Sequence, residues 1–330
     1  MNYQNHNHRL YNNNKIVACY LLLTLYIISF SSFFLQVLGN INYDEEIEIQ
    51  YETYRAELLQ SWLKENGAEF DSLGVTYAIS EGRGVVAEKN ILSRETIAIL
   101  PKKVLITTPI VLRLGYYAKR AFYAEYSPWS GSQYLQEHIS MAVFIMEQRL
   151  NENSFFYAYL DTLPKDSSHL PMFYKENDFA EFTGSEFPLE VINMQQNARG
   201  EFNDLISLLG NSFKQRFTVD DYLWARATIL SRAFRIYPEG HLDESLEINK
   251  NKCTNELLAM VPMADMLNHR ATPNVVWTFD PDLQGFTLIA TRDILPGEPI
   301  YDSYGSKSNT QYLKNFGFAL KDADTSLTFT

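Results

Sequence analysis

The chain has 330 residues, enough for a large buried core and two structural units. Its 46% hydrophobic and 21% charged content is that of a folded globular protein. Its net charge of −12 argues against a nucleic-acid partner, which calls for a basic surface. Two cysteines, Cys19 and Cys253, build neither a zinc cluster nor a disulfide framework.

The first 15 residues form a polar tail rich in asparagine. Ile16 to Leu38 then runs 23 residues without a charge, long enough to cross a bilayer as a helix. An uncleaved signal anchor, and so a membrane location, is the first expectation. A cleaved signal or part of a plastid address is the alternative, with Val37-Leu38-Gly39 as a poor cleavage site. The globular part carries no Asn-x-Ser/Thr sequon, so nothing supports a secretory lumen. Residues 39–53 read as an acidic linker. Tyr54 to Asn66 has the spacing of an amphipathic helix, with Leu58, Leu59, Trp62 and Leu63 on one face and Gly67 as its stop.

Val75 to Ile79 and Gly84 to Ala87 are rich in β formers, and Gly82-Arg83-Gly84 is expected to turn between them. Thr96 to Leu100 is a further strand, stopped by Pro101. From residue 108 to 252 the pattern becomes helical: His138 to Leu150, Phe187 to Leu209, and a helix from the Thr218 N-cap through Trp224 to Phe234. Aromatics are dense in Asn153 to Leu160. Asn274 to Phe279 and Phe286 to Thr291 read as a hairpin, Pro299 to Tyr301 as the last strand, and Ser308 as the cap of a short helix ending before Phe316-Gly317-Phe318.

Two polar groups stand out. An apolar run, Met260 to Leu267, contains an acidic Asp265 and ends in Asn268-His269; Tyr301-Asp302-Ser303-Tyr304-Gly305 follows about thirty residues on. A buried Asn-His pair needs hydrogen-bond partners, since each unpaired group costs on the order of 1–3 kcal/mol. No Gly-x-Ser-x-Gly, His-Glu-x-x-His or P-loop is present.

The ordered set Gly82-Arg83-Gly84, Ser231-Arg232-Ala233-Phe234, Asp265-x-x-Asn268-His269, Tyr304-Gly305 and Ser308-Asn309 resembles the SET-domain methyltransferases. The spelling is similar to the branch containing the Rubisco large-subunit lysine and actin-histidine methyltransferases. The resemblance spans residues 55 to 320. It implies an α+β protein, in which a SET-domain β-fold of short strands with a knot-like active site is interrupted by a helical insert. The N-terminal hydrophobic helix at 16–38 would precede it. The SET parts would be 54–107 and 253–320, the insert 108–252 and the tail 321–330. Enzymes of this branch usually carry a helical substrate-binding domain after the SET core, and here only about a dozen residues follow Gly317, so the expectation is either a fragment or a different mode of substrate docking. The two cysteines cannot build the cysteine-rich zinc tail of many SET enzymes.

The resemblance also implies S-adenosylmethionine as cofactor, a protein-lysine N-methyltransferase activity on a non-histone protein, and no metal. By the same carry-over, Gly82, Gly84, Glu95, Ile97, Arg232, Asn268 and His269 would bind the cofactor. Tyr304 would be catalytic, and Phe234, Ala264 and Tyr301 would line the target pocket, Tyr301 being the lesser candidate for Tyr304's role. The histidine-specific relative has Asn and Trp where this chain has Phe234 and Ala264, which favours lysine over histidine. A histidine methyltransferase and an inert membrane-anchored SET module are the alternatives. In either transferase the chemistry is positioning around an in-line displacement, which explains the lack of a triad.

Overall fold

The computed structural model describes residues 43–79, 82–237 and 256–321. The expected hydrophobic helix at Ile16–Leu38 lies outside them, as does the tail beyond 321. Among the described helices none is long and apolar enough to cross a membrane. The chain divides into two units at Glu52 and Thr53, and the sheets, the helical layer and the site described below all belong to the second.

Helix α1 spans Tyr43–Glu65, so the acidic stretch expected to be a linker is helical. No glycine or proline interrupts it before Gly67. Leu59 and Leu63, one turn apart, are fully buried, and Trp62 packs edge-on against Phe155 at 5.3 Å. Leu58 lies about 100° round the helix from Leu59 and is 43% exposed, so it does not share the buried face.

Strands β1 (Leu73–Ile79) and β2 (Gly82–Ala87) form an antiparallel hairpin. Gly82-Arg83-Gly84 was expected to be the turn, yet it is the first half of β2, and Gly82 enters it at φ +86, which only glycine adopts without strain. Strand β3 (Thr96–Pro101) pairs antiparallel with β9 (Gly285–Ala290), which pairs in turn with β8 (Val275–Asp280). Leu100, Phe279, Phe286 and Leu288 bury this sheet's inner face, each such side chain contributing about 1.5–3 kcal/mol. A second three-stranded sheet has the order β4 (Ile106–Thr107), β6 (Leu257–Met260), β5 (Phe234–Ile236).

Between β4 and β5 lie seven helices: α2 (Thr108–Leu114), α3 (Tyr117–Phe122), α4 (Gln133–Arg149), α5 (Tyr157–Asp161), α6 (Phe187–Leu209), α7 (Asn211–Arg216) and α8 (Val219–Arg232). The helical layer ends at Arg232, earlier than expected, because Ala233 turns extended at ψ 141 and Phe234-Arg235-Ile236 joins β6 as a strand. Two devices fix this layer. Glu147 of α4 accepts from the N–H groups of Tyr117 and Ala118, at 2.7 and 3.3 Å, and so caps α3 from within the core. Thr218 and Asp221 cap α8 reciprocally, each side chain taking the other's N–H, at 3.2 and 2.9 Å, a motif whose loss costs about 1 kcal/mol. That cap sets where α8 starts and therefore where Arg232, in its last turn, arrives.

Candidate functional site

Strand β7 is only Asn268–His269, and it pairs parallel with β10, Tyr301–Asp302, in the register Asn268↔Tyr301 and His269↔Asp302. The approach to β7 is a single turn of 3-10 helix, Ala264–Met266, entered through Met263 at φ +71. A left-handed methionine is costly, of order 1–3 kcal/mol, and is tolerated only where its surroundings over-determine it. It aims Asp265 inward and delivers Asn268 to β2: the Asn268 amide Nδ2 donates to the carbonyl of Arg83 at 3.0 Å.

Tyr304 closes the arrangement. Its backbone N–H donates to His269 Nδ1 at 3.0 Å, and its hydroxyl donates to the carbonyl of Leu267 at 2.7 Å. Burial pushes its pKa up to about 12, so the hydroxyl stays protonated at neutral pH. Burial, and then Lys307, hold the pKa of His269 below its ordinary value. A neutral imidazole that accepts at Nδ1 carries its proton at Nε2, and Nε2 is buried without a partner. Helix α9 (Asn309–Phe316), capped by Ser308 and stopped by Gly317 at φ +78, folds an aromatic group onto His269. Tyr312 lies 4.9 Å and Phe318 5.9 Å from the imidazole, and Phe316 lies 4.7 Å from Tyr304.

Beside this group sits a buried charge cluster. Arg232 Nη1 donates to the carbonyl of Asp265 at 2.8 Å and to its Oδ2 at 3.3 Å, and the Tyr159 hydroxyl donates to the same Oδ2 at 3.0 Å. Asp265 Oδ1 has no partner. Burial raises the pKa of Asp265, although Arg232 and Arg83 oppose it; burial and then Arg232 lower that of Arg83.

The residues singled out in the sequence are thus partly brought together. Gly82, Gly84, Arg232, Asn268, His269 and Tyr304 lie on segments joined by these bonds. Phe234 opens β5, its ring edge-on to Trp277 at 5.4 Å and Phe286 at 5.3 Å. Ala264 is fully buried beside Asp265. Tyr301 is buried under Arg270, whose guanidinium lies 3.9 Å over its ring and donates to its hydroxyl at 3.2 Å. Glu95 and Ile97 stay with the first sheet: the Glu95 carboxylate takes the Leu92 N–H at 2.8 Å, its carbonyl takes that of Ala290, and Ile97 is core. Three residues escaped sequence reasoning. Arg83 was visible only as the filling of Gly-x-Gly, and Tyr159 only as one aromatic among several. Asp302 stood in the polar group Tyr301 to Gly305 without a role of its own; burial lifts its pKa to about 6, and the Trp277 side chain hydrogen-bonds it. Among the described residues no group of three His, Cys, Asp or Glu side chains converges as a metal site would require.

Known proteins resemble this chain in sequence and fold. The chain is 28% identical over 277 residues to actin-histidine N-methyltransferase of Xenopus tropicalis, covering 81% of this chain and 43% of that protein. It is 26% identical to the chloroplastic [fructose-bisphosphate aldolase]-lysine N-methyltransferase of Arabidopsis thaliana, covering 78% and 50%. The chain therefore spans about half the length of these curated relatives. The solved structure of Rubisco LSMT bound to AdoMet superposes with a TM-score of 0.63 at 24% identity over 81% of this chain and 57% of that one. The SET domain of LSMT bound to lysine and AdoHcy does so at 0.64 and 23%. At such identity the likeness is one of fold. The SET domain itself matches residues 82–305, a span that opens on Gly82, closes on Gly305 and holds the three segments hydrogen-bonded through Arg83, Leu267, Asn268, His269 and Tyr304: the chain belongs to the SET-domain family.

Proposed function

We propose that the chain is an S-adenosylmethionine-dependent protein methyltransferase whose target is a lysine of a non-histone protein. The observation that carries this is the junction of three segments: Asn268 on the Arg83 carbonyl, His269 on the Tyr304 N–H, and Tyr304 on the Leu267 carbonyl. The residues present suit the cofactor. The unpartnered Nε2–H of His269 is a buried donor lacking an acceptor, Arg232 offers a cation, and Tyr312, Phe316 and Phe318 offer ring faces. Gly82, Gly84, Asn268, His269 and Arg232 would hold it. Glu95 and Ile97 would contribute backbone groups alone.

Bound there, S-adenosylmethionine supplies a methyl group on a cationic sulfur. The chain's part is orientation and exclusion of water. Tyr304, protonated and fixed at both its N–H and its hydroxyl, is a rigid oxygen at the centre of the site. A target lysine has a reference pKa of about 10.4 and must shed its proton before it can attack. The Phe234, Trp277 and Phe286 wall gives it apolar surroundings that disfavour the ammonium form. Phe234 offers no amide to an imidazole, which supports lysine. The likeness to actin-histidine N-methyltransferases supports histidine as the second reading. Calorimetry of the chain with S-adenosylhomocysteine should find one site, and silence at millimolar ligand would end the assignment. Amino-acid analysis of labelled products from a protein lysate should then return methyl-lysine; methyl-histidine would select the second reading.

For location we propose a membrane anchor at Ile16–Leu38, supported by its 23 uncharged residues. The full-length protein should remain with membranes after a carbonate wash. A mature chain starting near Asn40 would indicate a cleaved signal, and release into a plastid stroma would indicate a plastid address, as the Arabidopsis relative's name states for that protein.

A further inference from the structure

Helix α5 has five residues, Tyr157–Asp161, yet it touches both halves of the site from inside the helical layer. The Tyr159 hydroxyl donates to Asp265 Oδ2 at 3.0 Å, 106 positions away in sequence. The carbonyl of Thr162, just past the helix, accepts from Arg83, and the Thr162 hydroxyl donates back to the Tyr159 carbonyl at 2.6 Å. One turn of the insert thus holds β2 through Arg83 and the approach to β7 through Asp265. The bond from Asn268 to Arg83 closes the loop.

Asp265 is the pivot. Its side chain is fully buried, whereas Arg232 keeps 18% of its side chain exposed. A buried carboxylate demands donors, and here two side chains supply them directly: the neutral hydroxyl of Tyr159 and the guanidinium of Arg232. We propose that Tyr159 is a positioning residue which, through Asp265, sets how far Arg232 is drawn inward and so how firmly the site grips the carboxylate end of its ligand. This rests on the reading of the site as one for S-adenosylmethionine. Without the hydroxyl, Arg232 is the one direct side-chain donor left to Asp265 among the described residues, and it settles deeper on that carboxylate at the expense of the ligand's. The burial-raised pKa of Asp265 agrees with a carboxylate short of donors.

The test compares two ligands on the full chain by calorimetry. S-adenosylhomocysteine carries the amino-acid end; 5′-methylthioadenosine shares the nucleoside and lacks that end. Tyr159→Phe should weaken the first roughly tenfold, the effect of about one hydrogen bond to a charged group, and leave the second within about twofold. In an Asp265→Asn background, Tyr159→Phe should no longer change the ratio of the two affinities. Equal weakening of both ligands would mean that the tyrosine merely holds the fold, and an effect that persists without the Asp265 carboxylate would also overturn the proposal. If the unaltered chain binds neither ligand, the proposed function itself fails before any variant is made.

Discussion

Tyr304→Phe is expected to lower methyl transfer by roughly 10²-fold or more, the loss that accompanies one preorganised transition-state interaction of about 2.7 kcal/mol. The substitution removes a single oxygen. The backbone N–H still meets His269 Nδ1, and the ring still packs on Phe316 at 4.7 Å. What is lost is a protonated hydroxyl held at 2.7 Å from the Leu267 carbonyl. That carbonyl is left without this donor, so stability should drop by about 1 kcal/mol. Affinity for S-adenosylhomocysteine should be unchanged, because Asn268, His269 and Arg232 remain. Tyr301→Phe is the control. It removes the 3.2 Å bond from Arg270 and keeps the cation over the ring, so transfer should fall only a few-fold. Initial rates with saturating cofactor decide the matter. Loss of transfer in Tyr301→Phe alone would exchange the roles of the two tyrosines.

Asp265→Ala should be the most damaging change to stability, costing about 3 kcal/mol, because it takes a fully buried carboxylate away from Arg232, Arg83 and the Tyr159 hydroxyl. Arg83 is half-buried, Arg232 spends Nη1 on this residue, and Tyr159 is completely buried with its hydroxyl aimed at it. Removing the carboxylate leaves two like charges to repel each other and one hydroxyl without an acceptor. Thermal unfolding should move down by roughly 10 °C. Asp265→Asn keeps the shape and one acceptor and should cost less than half as much. If the alanine variant melts within 2 °C of the parent, to use a margin of roughly 0.5–1 kcal/mol, the arginines must be satisfied without Asp265.

Local chemistry was legible in the sequence where local chemistry decides the structure. Helix α6 has the expected bounds because Pro188 suits its first turn and Gly210 leaves it at φ +83. Ser308 and Gly317 bracket α9 for the same kind of reason. Strands β7 and β10 are two residues each, so pairing them sets Asn268-His269 directly beside Tyr301-Asp302. The errors also have causes. Charge alone does not make a linker, and residues 44–52 hold no glycine or proline that would break a helix. A Gly-x-Gly can turn or run straight, and only the pairing of Gly84 with Thr76 shows that here it runs. The bonds of Tyr159 and Thr162 to the site could not be read at all, since periodicity reports on neighbours within a few turns and these partners lie far apart in the chain.

The bond from Asn268 to Arg83 spans 185 residues, and this has a consequence for how the protein is made. At a synthesis rate of about 5–20 residues per second, β2 waits on the order of 10–40 s after its own translation before Asn268 exists to meet it. Strand β3 waits about as long for β9. Through that interval the hairpin and β3 present bare edges on the growing chain, the features that invite pairing with other chains. The seven helices translated in between can pack by themselves, as helices with local contacts do. The helical layer is then a timing element as well as a wall: it keeps the early strands company until the ligand site can be built.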